Sequence, residues 1–344
     1  MLIVNYDHIV KNLEYLKNKY HKDNFLIIKN NAYNTGLEET INHCTQAGLN
    51  HFALTSLKEG IKAARANKNA YILIMNPLNK EEIKQAKEYK NIALSITSKE
   101  WYDLYKEDLK DVKLHLKVNI GMNRFGLSDI DDINDILSSN RNIEGLFTHF
   151  PVSDIDDLTI HNKQVDSFVK IYNKIINKEQ LKYIHSQNSA TLLLDDNRLS
   201  FCNFGRIGIL GYGYSPTTFD SNLKPSIYLN AKVVAINKIK ENEYIGYGLS
   251  NKMDKDKLIA ICNIGYGDGL NKLRVHLPVY IKNKEYKVLA VSMSHLIVEV
   301  DHNIKIDDIV EIYGDNIRID HLLNYCDTSC SIHMSSLHHQ KNND

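Results

Sequence analysis

Phe25-Leu26-Ile27-Ile28-Lys29-Asn30-Asn31-Ala32-Tyr33-Asn34-Thr35-Gly36 joins a run of large apolar residues to a lysine and then to a turn rich in Asn and Gly. A short apolar run bounded by turn residues predicts a buried strand. A lysine closing such a strand stands at a buried mouth, where desolvation disfavours the ammonium and lowers its pKa. A neutral amine there can form a Schiff base. Tyr33, just downstream, can offer a hydroxyl to an anion such as a phosphate. The plainer reading is a snorkelling lysine beside a turn.

The same form recurs along the chain. Apolar runs at 51–55, 71–75, 92–96, 114–118, 144–149, 182–187 and 204–210 bring the predicted strands to eight. Helical stretches separate most of them. The clearest covers 159–176, with Val165, Phe168, Val169, Tyr172, Ile175 and Ile176 on one face. Eight strands alternating with helices predict an α/β fold, a (β/α)8 TIM-like barrel. A doubly wound sheet also alternates, but no Gly-x-Gly-x-x-Gly turn follows the first strand. Barrel chemistry sits at the C-terminal ends of the strands, where Lys29 lies. Beyond Lys224 the runs 226–239, 257–264, 278–281, 287–291, 296–300 and 309–313 are rich in Val and Ile with short polar connections. Asn283-Lys284 reads as a turn between two of them. The expected division is a barrel of residues 1–223 followed by a mostly β domain of 224–344. No Pro/Gly/Ser-rich linker separates them, so close packing is expected.

Composition narrows the function. The 344 residues allow a large core and about two domains. Lys+Arg and Asp+Glu balance at 42 each, so no global field draws in nucleic acid or an anionic membrane. Met1-Leu2-Ile3-Val4-Asn5-Tyr6-Asp7 lacks the basic and apolar regions of a signal peptide. No apolar run approaches the ~18 residues of a membrane span. Cys44, Cys202, Cys262, Cys326 and Cys330 are scattered and odd in number, which fits a reduced cytoplasmic protein. Cys326 and Cys330 lack a second ligand pair at zinc spacing. The tail histidines His333, His338 and His339 read as solvated, and no metal is expected.

Further segments carry chemistry. In Leu114-His115-Leu116-Lys117-Val118-Asn119 the period of two puts His115, Lys117 and Asn119 on one face, able to point into a barrel. Gly121-Met122-Asn123-Arg124-Phe125-Gly126 follows. Thr148-His149-Phe150 closes the sixth strand. His185-Ser186-Gln187-Asn188-Ser189-Ala190 closes the seventh, with Ser189 at an ordinary N-cap position, where backbone N–H groups also favour an anion. Arg206-Ile207-Gly208-Ile209 puts a charge on the eighth strand, costly unless paired. Asn263-Ile264-Gly265-Tyr266-Gly267-Asp268-Gly269 is a glycine-rich turn in the β domain.

In this order, and over nearly the whole chain, these segments resemble alanine racemases, the barrel-fold class of pyridoxal 5'-phosphate (PLP) enzymes. The resemblance implies that Lys29 carries PLP covalently and that Tyr33 binds its phosphate. It implies a phosphate ligand in Ser189, beside Asn188, and backbone contacts at Gly208 and Ile209. Arg206 matches an arginine set against the pyridine nitrogen; an arginine stays protonated, so it gives the ring no proton and leaves a weaker electron sink. His149 matches a histidine near the ring. Lys117 matches a strand lysine that is carbamylated and pairs with the arginine at Arg124. Arg124 and Met293 stand at substrate-contacting positions. Tyr266 matches a second catalytic base that enters the neighbouring subunit's site, which implies a homodimer with shared active sites. Racemization needs proton exchange on both faces of Cα, and Lys29 and Tyr266 supply one base for each. A phenol is protonated near neutrality; His149 and Arg206 are the groups expected to favour its anion.

Some positions depart from the family pattern. Asn119 stands for an Asp and Ile207 for a proline. Val291-Ser292-Met293-Ser294-His295 stands where the family reads arginine-valine-cysteine-methionine-aspartate. The tail around Met334 lacks a tyrosine that helps bind phosphate and narrow the entrance. Ser294 and Met334 are therefore expected to widen substrate choice. The resulting expectation is a PLP-dependent amino-acid racemase interconverting L- and D-alanine for cell-wall (peptidoglycan) precursors. The alternatives are a serine or broad-specificity racemase of the same fold, and a PLP-dependent basic amino-acid decarboxylase, which should carry a cysteine donor from the second subunit instead of Tyr266. A non-enzymatic PLP-binding protein would be a lone barrel.

Overall fold

A computed structural model describes residues 1–217, 222–248, 251–324 and 329–337. Cys326, His338 and His339 lie outside the described residues. The strands Asp23–Ile27, His51–Leu54, Tyr71–Ile74, Ile92–Ile96, Lys113–Lys117, Ile143–Phe147, Tyr183–His185 and Phe204–Ile207 pair in parallel and close into a barrel. The eighth strand pairs with the first, with Phe25 opposite Arg206. Most strands stop a residue or more before the predicted ends. The polar residues there leave the ladder, so Lys29, His149 and Ser189 stand just past strand ends. The connecting helices begin at side chains that cap them: Ser56, Ser98 and Asp129 accept backbone N–H bonds, and Asn79 forms a capping box with Glu82.

Aromatic side chains plug the barrel floor. Phe25 is fully buried, with His51, Tyr71, His115, Tyr183, His185 and Phe204 around it. The ring centroids lie between 4.9 and 6.0 Å from that of Phe25. The alternation read at 114–119 has its structural counterpart here: His115 joins this inner cluster, and Lys117 is buried nearer the mouth.

The connection after the first strand has an unusual backbone. Asn30, Asn31, Ala32, Tyr33 and Asn34 all have positive φ, between 53° and 64°. This is a short left-handed helical turn. It costs about 1–2 kcal/mol per L-residue, least for Asn. Side chains hold it. Glu59 accepts from the backbone N–H of Asn31 at 2.7 Å and of Asn30 at 3.3 Å, and Asn31 accepts from Leu37 N at 3.0 Å. Asn34 Nδ2 donates to the carbonyls of Met334, Ser335 and Leu337, at 2.7–3.2 Å. The C-terminal helix Cys330–Ser336 thereby docks on the turn that follows Lys29.

The second domain is an eight-stranded sheet whose pairings are antiparallel. Its long strand Ile227–Ile239 pairs with Lys257–Cys262 on one side and Ile309–Tyr313 on the other. The first residues also join this sheet: Leu2–Val4 pairs with Ile227 to Leu229. The predicted turn falls one residue earlier, at Lys282 and Asn283, both with positive φ, between the strands Val279–Ile281 and Lys284–Tyr286. A buried clamp joins the domains. Arg318 pairs with Asp320 at 2.9 Å and donates to the carbonyls of Leu223 and Gly213, while Asp320 accepts from Ser215 N at 3.1 Å.

Asn34→Gly tests the docking of the C-terminal helix. Glycine keeps the left-handed backbone and removes only the side-chain bonds, so destabilisation by about 1–3 kcal/mol is expected, read as a lower denaturant midpoint. An unchanged midpoint would show that these bonds do not hold the helix.

Candidate active site

A cavity of about 720 Å³ opens at the C-terminal end of the barrel. Lys29, Tyr33, Lys117, Arg124, His149, Asn188, Ser189, Arg206, Gly208 and Ile209 all line it. Residues from five separate sequence segments therefore share one site. Among the described residues, the basic side chains in the lining are Lys29, Lys117, Arg124 and Arg206, against the single acid Asp154. That balance favours an anionic ligand.

One wall is an anion cradle. Ser189 begins a short helix and its Oγ accepts from the backbone N–H of Gly208 at 3.1 Å and of Leu210 at 3.4 Å. A Cβ at Gly208 would meet the Tyr33 hydroxyl at 3.0 Å and Ser189 Oγ at 3.9 Å. Glycine thus leaves a small space rimmed by two hydroxyls and backbone donors. Asn188 lines the cavity, but its side chain serves the fold: Oδ1 caps Thr191 N at 2.9 Å and Nδ2 donates to Phe150 O at 2.9 Å.

Arg206 is 3% exposed. Its guanidinium donates to the carbonyls of His185 (2.7 Å), Ser186 (3.2 Å) and Thr148, and to the ring nitrogens His185 Nδ1 (3.1 Å) and His149 Nδ1 (3.4 Å). Arginine has no acceptor atom. The nitrogens facing it must be bare, so neutral His149 carries its proton on Nε2. Burial, then the Arg206 charge, lowers the His149 pKa to about 3. Burial, then Arg206 and Arg124, lowers Lys117 to about 8. Burial, then Arg124, lowers Lys29. Burial alone raises the Tyr33 hydroxyl to about 12, so it stays a protonated donor near neutrality. Asn119 organises the loop that carries Arg124: its Oδ1 accepts from Gly121 N and Asn123 N, each at 3.1 Å. Its Nδ2 also donates to Asn123 Oδ1 at 3.1 Å, a bond that an Asp could not make although it could accept the other two.

Two expected site residues stand apart. Tyr266 begins a 3-10 turn, its N–H bonded to Ser292 O at 3.0 Å, with the Lys272 ammonium 4.7 Å from its ring centre. Gly267 N bonds Met293 O at 2.8 Å. Tyr266 and Met293 are neighbours, but neither lines the cavity of its own chain, and Met293 is 59% exposed. The expectation for Met334 is corrected. Met334 is fully buried in the core and lines no part of the cavity. The tail reaches the cavity instead through Ser329, Cys330 and Ser331, with Ser329 and Ser331 hydroxyls 2.9 Å apart. Sequence reading also missed Thr55, Met75 and Asn76 in the lining. Their signal was position: each follows the end of a barrel strand.

Fold and cavity together define a barrel enzyme whose mouth gathers an amine, an anion cradle and a buried arginine, with a β domain appended. The alanine racemase N-terminal domain family matches residues 4–216, and the alanine racemase C-terminal domain family matches 226–342. Alanine racemase 2 of Staphylococcus aureus strain COL is 31% identical over 306 residues, covering 86% of this chain and 84% of that protein. An alanine racemase of Staphylococcus epidermidis is 30% identical over 334 residues, covering 92% and 85%. The biosynthetic alanine racemase of Pseudomonas aeruginosa shares the fold at a TM-score of 0.88 with 22% identity, covering 98% and 96%. The Bartonella henselae alanine racemase, solved with covalently bound pyridoxal phosphate, does so at 0.86 with 20% identity, covering 98% and 96%. The chain belongs to the alanine racemase family. It is accordingly an isomerase, a racemase.

Arg124→Ala tests the electrostatics of the mouth. Removing a nearby positive charge relieves the repulsion that disfavours the Lys29 ammonium, so the Lys29 pKa should rise. In apoprotein treated with an amine-selective reagent, the pH of half-maximal labelling at Lys29 should move up. An unchanged or lower value would remove Arg124 as a cause.

Proposed function

We propose that this racemase interconverts L- and D-alanine with PLP held on Lys29, by a two-base mechanism in which the second base is Tyr266 of the partner subunit. The observation that carries the reading is the shared cavity: the Lys29 amine, the buried Arg206 and the cradle of Tyr33, Ser189 and Gly208 all border it. The donor set fits the cofactor. Tyr33, Ser189 and the backbone at Gly208 and Ile209 would hold its phosphate, Lys29 its aldehyde carbon, and Arg206 its ring nitrogen. PLP bound there supplies an electron sink that acidifies the Cα proton of an amino acid.

This chain's residues do the rest. Burial lowers the Lys29 pKa, so more of its amine is free to take a proton from one face of Cα. Tyr266 of the partner subunit would serve the other face. The separation of Tyr266 and Met293 from the cavity of their own chain supports that arrangement. So does the exposure of Met293, which leaves it accessible to a second copy. His149, with its proton on Nε2, has a donor for an incoming phenolate. A hydrogen bond to the anion favours it. Arg124 would meet the substrate carboxylate. The Lys117 amine, held at about 8, is partly neutral in mildly alkaline solution, the state that adds carbon dioxide. A carbamate there would set a negative charge between Arg124 and Arg206.

The unit is thus proposed as a homodimer in which the barrel (1–223) binds the cofactor and the β domain (224–344) serves the neighbour's site. The proposed setting is the cytoplasm and cell-wall precursor synthesis. No helix among the described residues is long and apolar enough to cross a membrane. A broader amino-acid range is favoured by Ser294, which is exposed beside Met293, and by the small residues Ser329 to Ser331 in the lining. A chiral assay over a panel of amino acids should show alanine turned over fastest and serine detectably; strict alanine specificity would contradict the wider site.

Subunit mixing tests the shared site. Lys29→Ala and Tyr266→Ala should each be inactive. After exchange of equal amounts, half the dimers are mixed and each has one intact site, so about a quarter of wild-type activity should return, by counting on two-fold symmetry. Verified exchange with no recovery would show that both residues act within one chain, or that Tyr266 is not the base.

A further inference from the structure

Beneath the cavity, three buried side chains and a half-buried carboxylate continue from Arg206 through the barrel interior. Arg206 Nη1 lies 3.1 Å from His185 Nδ1. His185 Nε2 lies 2.8 Å from His115 Nδ1. His115 Nε2 lies 2.8 Å from the Tyr71 hydroxyl, which donates to Glu144 Oε1 at 2.7 Å. Both histidines are fully buried and Tyr71 is 9% exposed. The chain surfaces at Glu144, whose other oxygen pairs with the exposed Lys182 at 3.2 Å.

The donor and acceptor roles have one consistent solution. Arg206 only donates, so His185 Nδ1 is bare and its proton sits on Nε2. That proton occupies His115 Nδ1, so the His115 proton also sits on Nε2. It points to the Tyr71 oxygen, and the Tyr71 proton goes to the carboxylate. A second proton on either imidazole would oppose a neighbouring donor. Burial and the nearby charges act in the same direction, holding His115 at about 3 and His185 well below its usual range. The fold makes room for the chain: a Cβ at Gly145 would fall 2.2 Å from His115 Nδ1.

We infer that Glu144, Tyr71, His115 and His185 form a one-way hydrogen-bond chain that positions Arg206 from the floor of the barrel. They are positioning residues: none of them lines the cavity. Their effect on turnover rests on the role proposed above for Arg206; the chain itself does not. Bonds linked in series in a low-dielectric interior strengthen one another, and a missing link leaves a buried donor unpaired. A change at Tyr71 therefore reaches the guanidinium through two imidazoles. The tautomers stay pinned at the Arg206 end, because a proton on His185 Nδ1 would face a donor. Loss of the Tyr71 oxygen therefore leaves the His115 Nε2–H as an unpaired buried donor and loosens the packing of both rings under Arg206.

Nitrogen-15 NMR of the imidazoles in apoprotein tests this without substrate or cofactor. His115 and His185 should both be neutral Nε2–H tautomers from about pH 5 to 9, the range across which an ordinary histidine titrates. Tyr71→Phe should keep both Nε2–H tautomers, move the His115 Nε2–H signals to those of an unbonded N–H, and lower racemase kcat by roughly tenfold, one hydrogen bond's worth, with KM nearly unchanged. Glu144→Gln keeps an acceptor for Tyr71 and should keep both wild-type tautomers. An imidazolium or Nδ1–H form in the wild type, or His115 Nε2–H signals indifferent to Tyr71→Phe, would overturn the chain. Wild-type protein with the expected tautomers but no racemase activity would leave the chain standing and sink the functional reading.

Discussion

The buried guanidinium of Arg206 is the constraint on which the rest of the site depends. A charge taken out of water is costly unless its donors are met. Its described hydrogen-bond partners are carbonyls and imidazole nitrogens from the ends of the sixth and seventh strands. Satisfying them ties three neighbouring strand ends together at the mouth. The same charge contributes to the lowered pKa of His149, Lys117, His115 and His185. One residue on one strand thus ties three strand ends together and adds to the burial that disfavours charge on these groups.

A second constraint acts beside it, on the strand paired with that of Arg206. The left-handed turn from Asn30 to Asn34 lies between Lys29, at the start of the connection that leaves the first barrel strand, and the C-terminal helix. It brings the Tyr33 hydroxyl within reach of the Gly208 space, on the far side of the closed barrel seam. Its conformational cost is sustained by Glu59 from the barrel and by the carbonyls of the C-terminal segment. The amine and the cradle are therefore organised by contacts from both domains.

Much of this was legible in the sequence. The barrel followed from eight apolar runs because parallel barrel strands are buried on both faces and read as continuous apolar segments. His115 and Lys117 pointed inward, as the period of two required, whereas Asn119 lies past the strand end in the loop that carries Arg124. Lys29 was placed at the mouth because strand ends carry barrel chemistry; Tyr33, His149, Ser189, Arg206 and Gly208 followed from the family resemblance, and Thr55, Met75 and Asn76 at other strand ends were missed. Other features were not legible. Nothing in Ala32 or Tyr33 announces a left-handed backbone, which tertiary contacts impose. Met334 was read as an entrance residue, but helix rotation buries it and presents Ser329 to Ser331 instead. The link from Arg206 to Glu144 joins five strands distant in sequence, and no local pattern encodes such a chain.

The most direct measurement is reduction of the purified protein with borohydride after loading with PLP, followed by mass spectrometric mapping. The account predicts one pyridoxyl group per chain, on Lys29, and none in Lys29→Ala. A label fixed on another lysine, Lys117 included, or a protein that takes up no PLP, would contradict it.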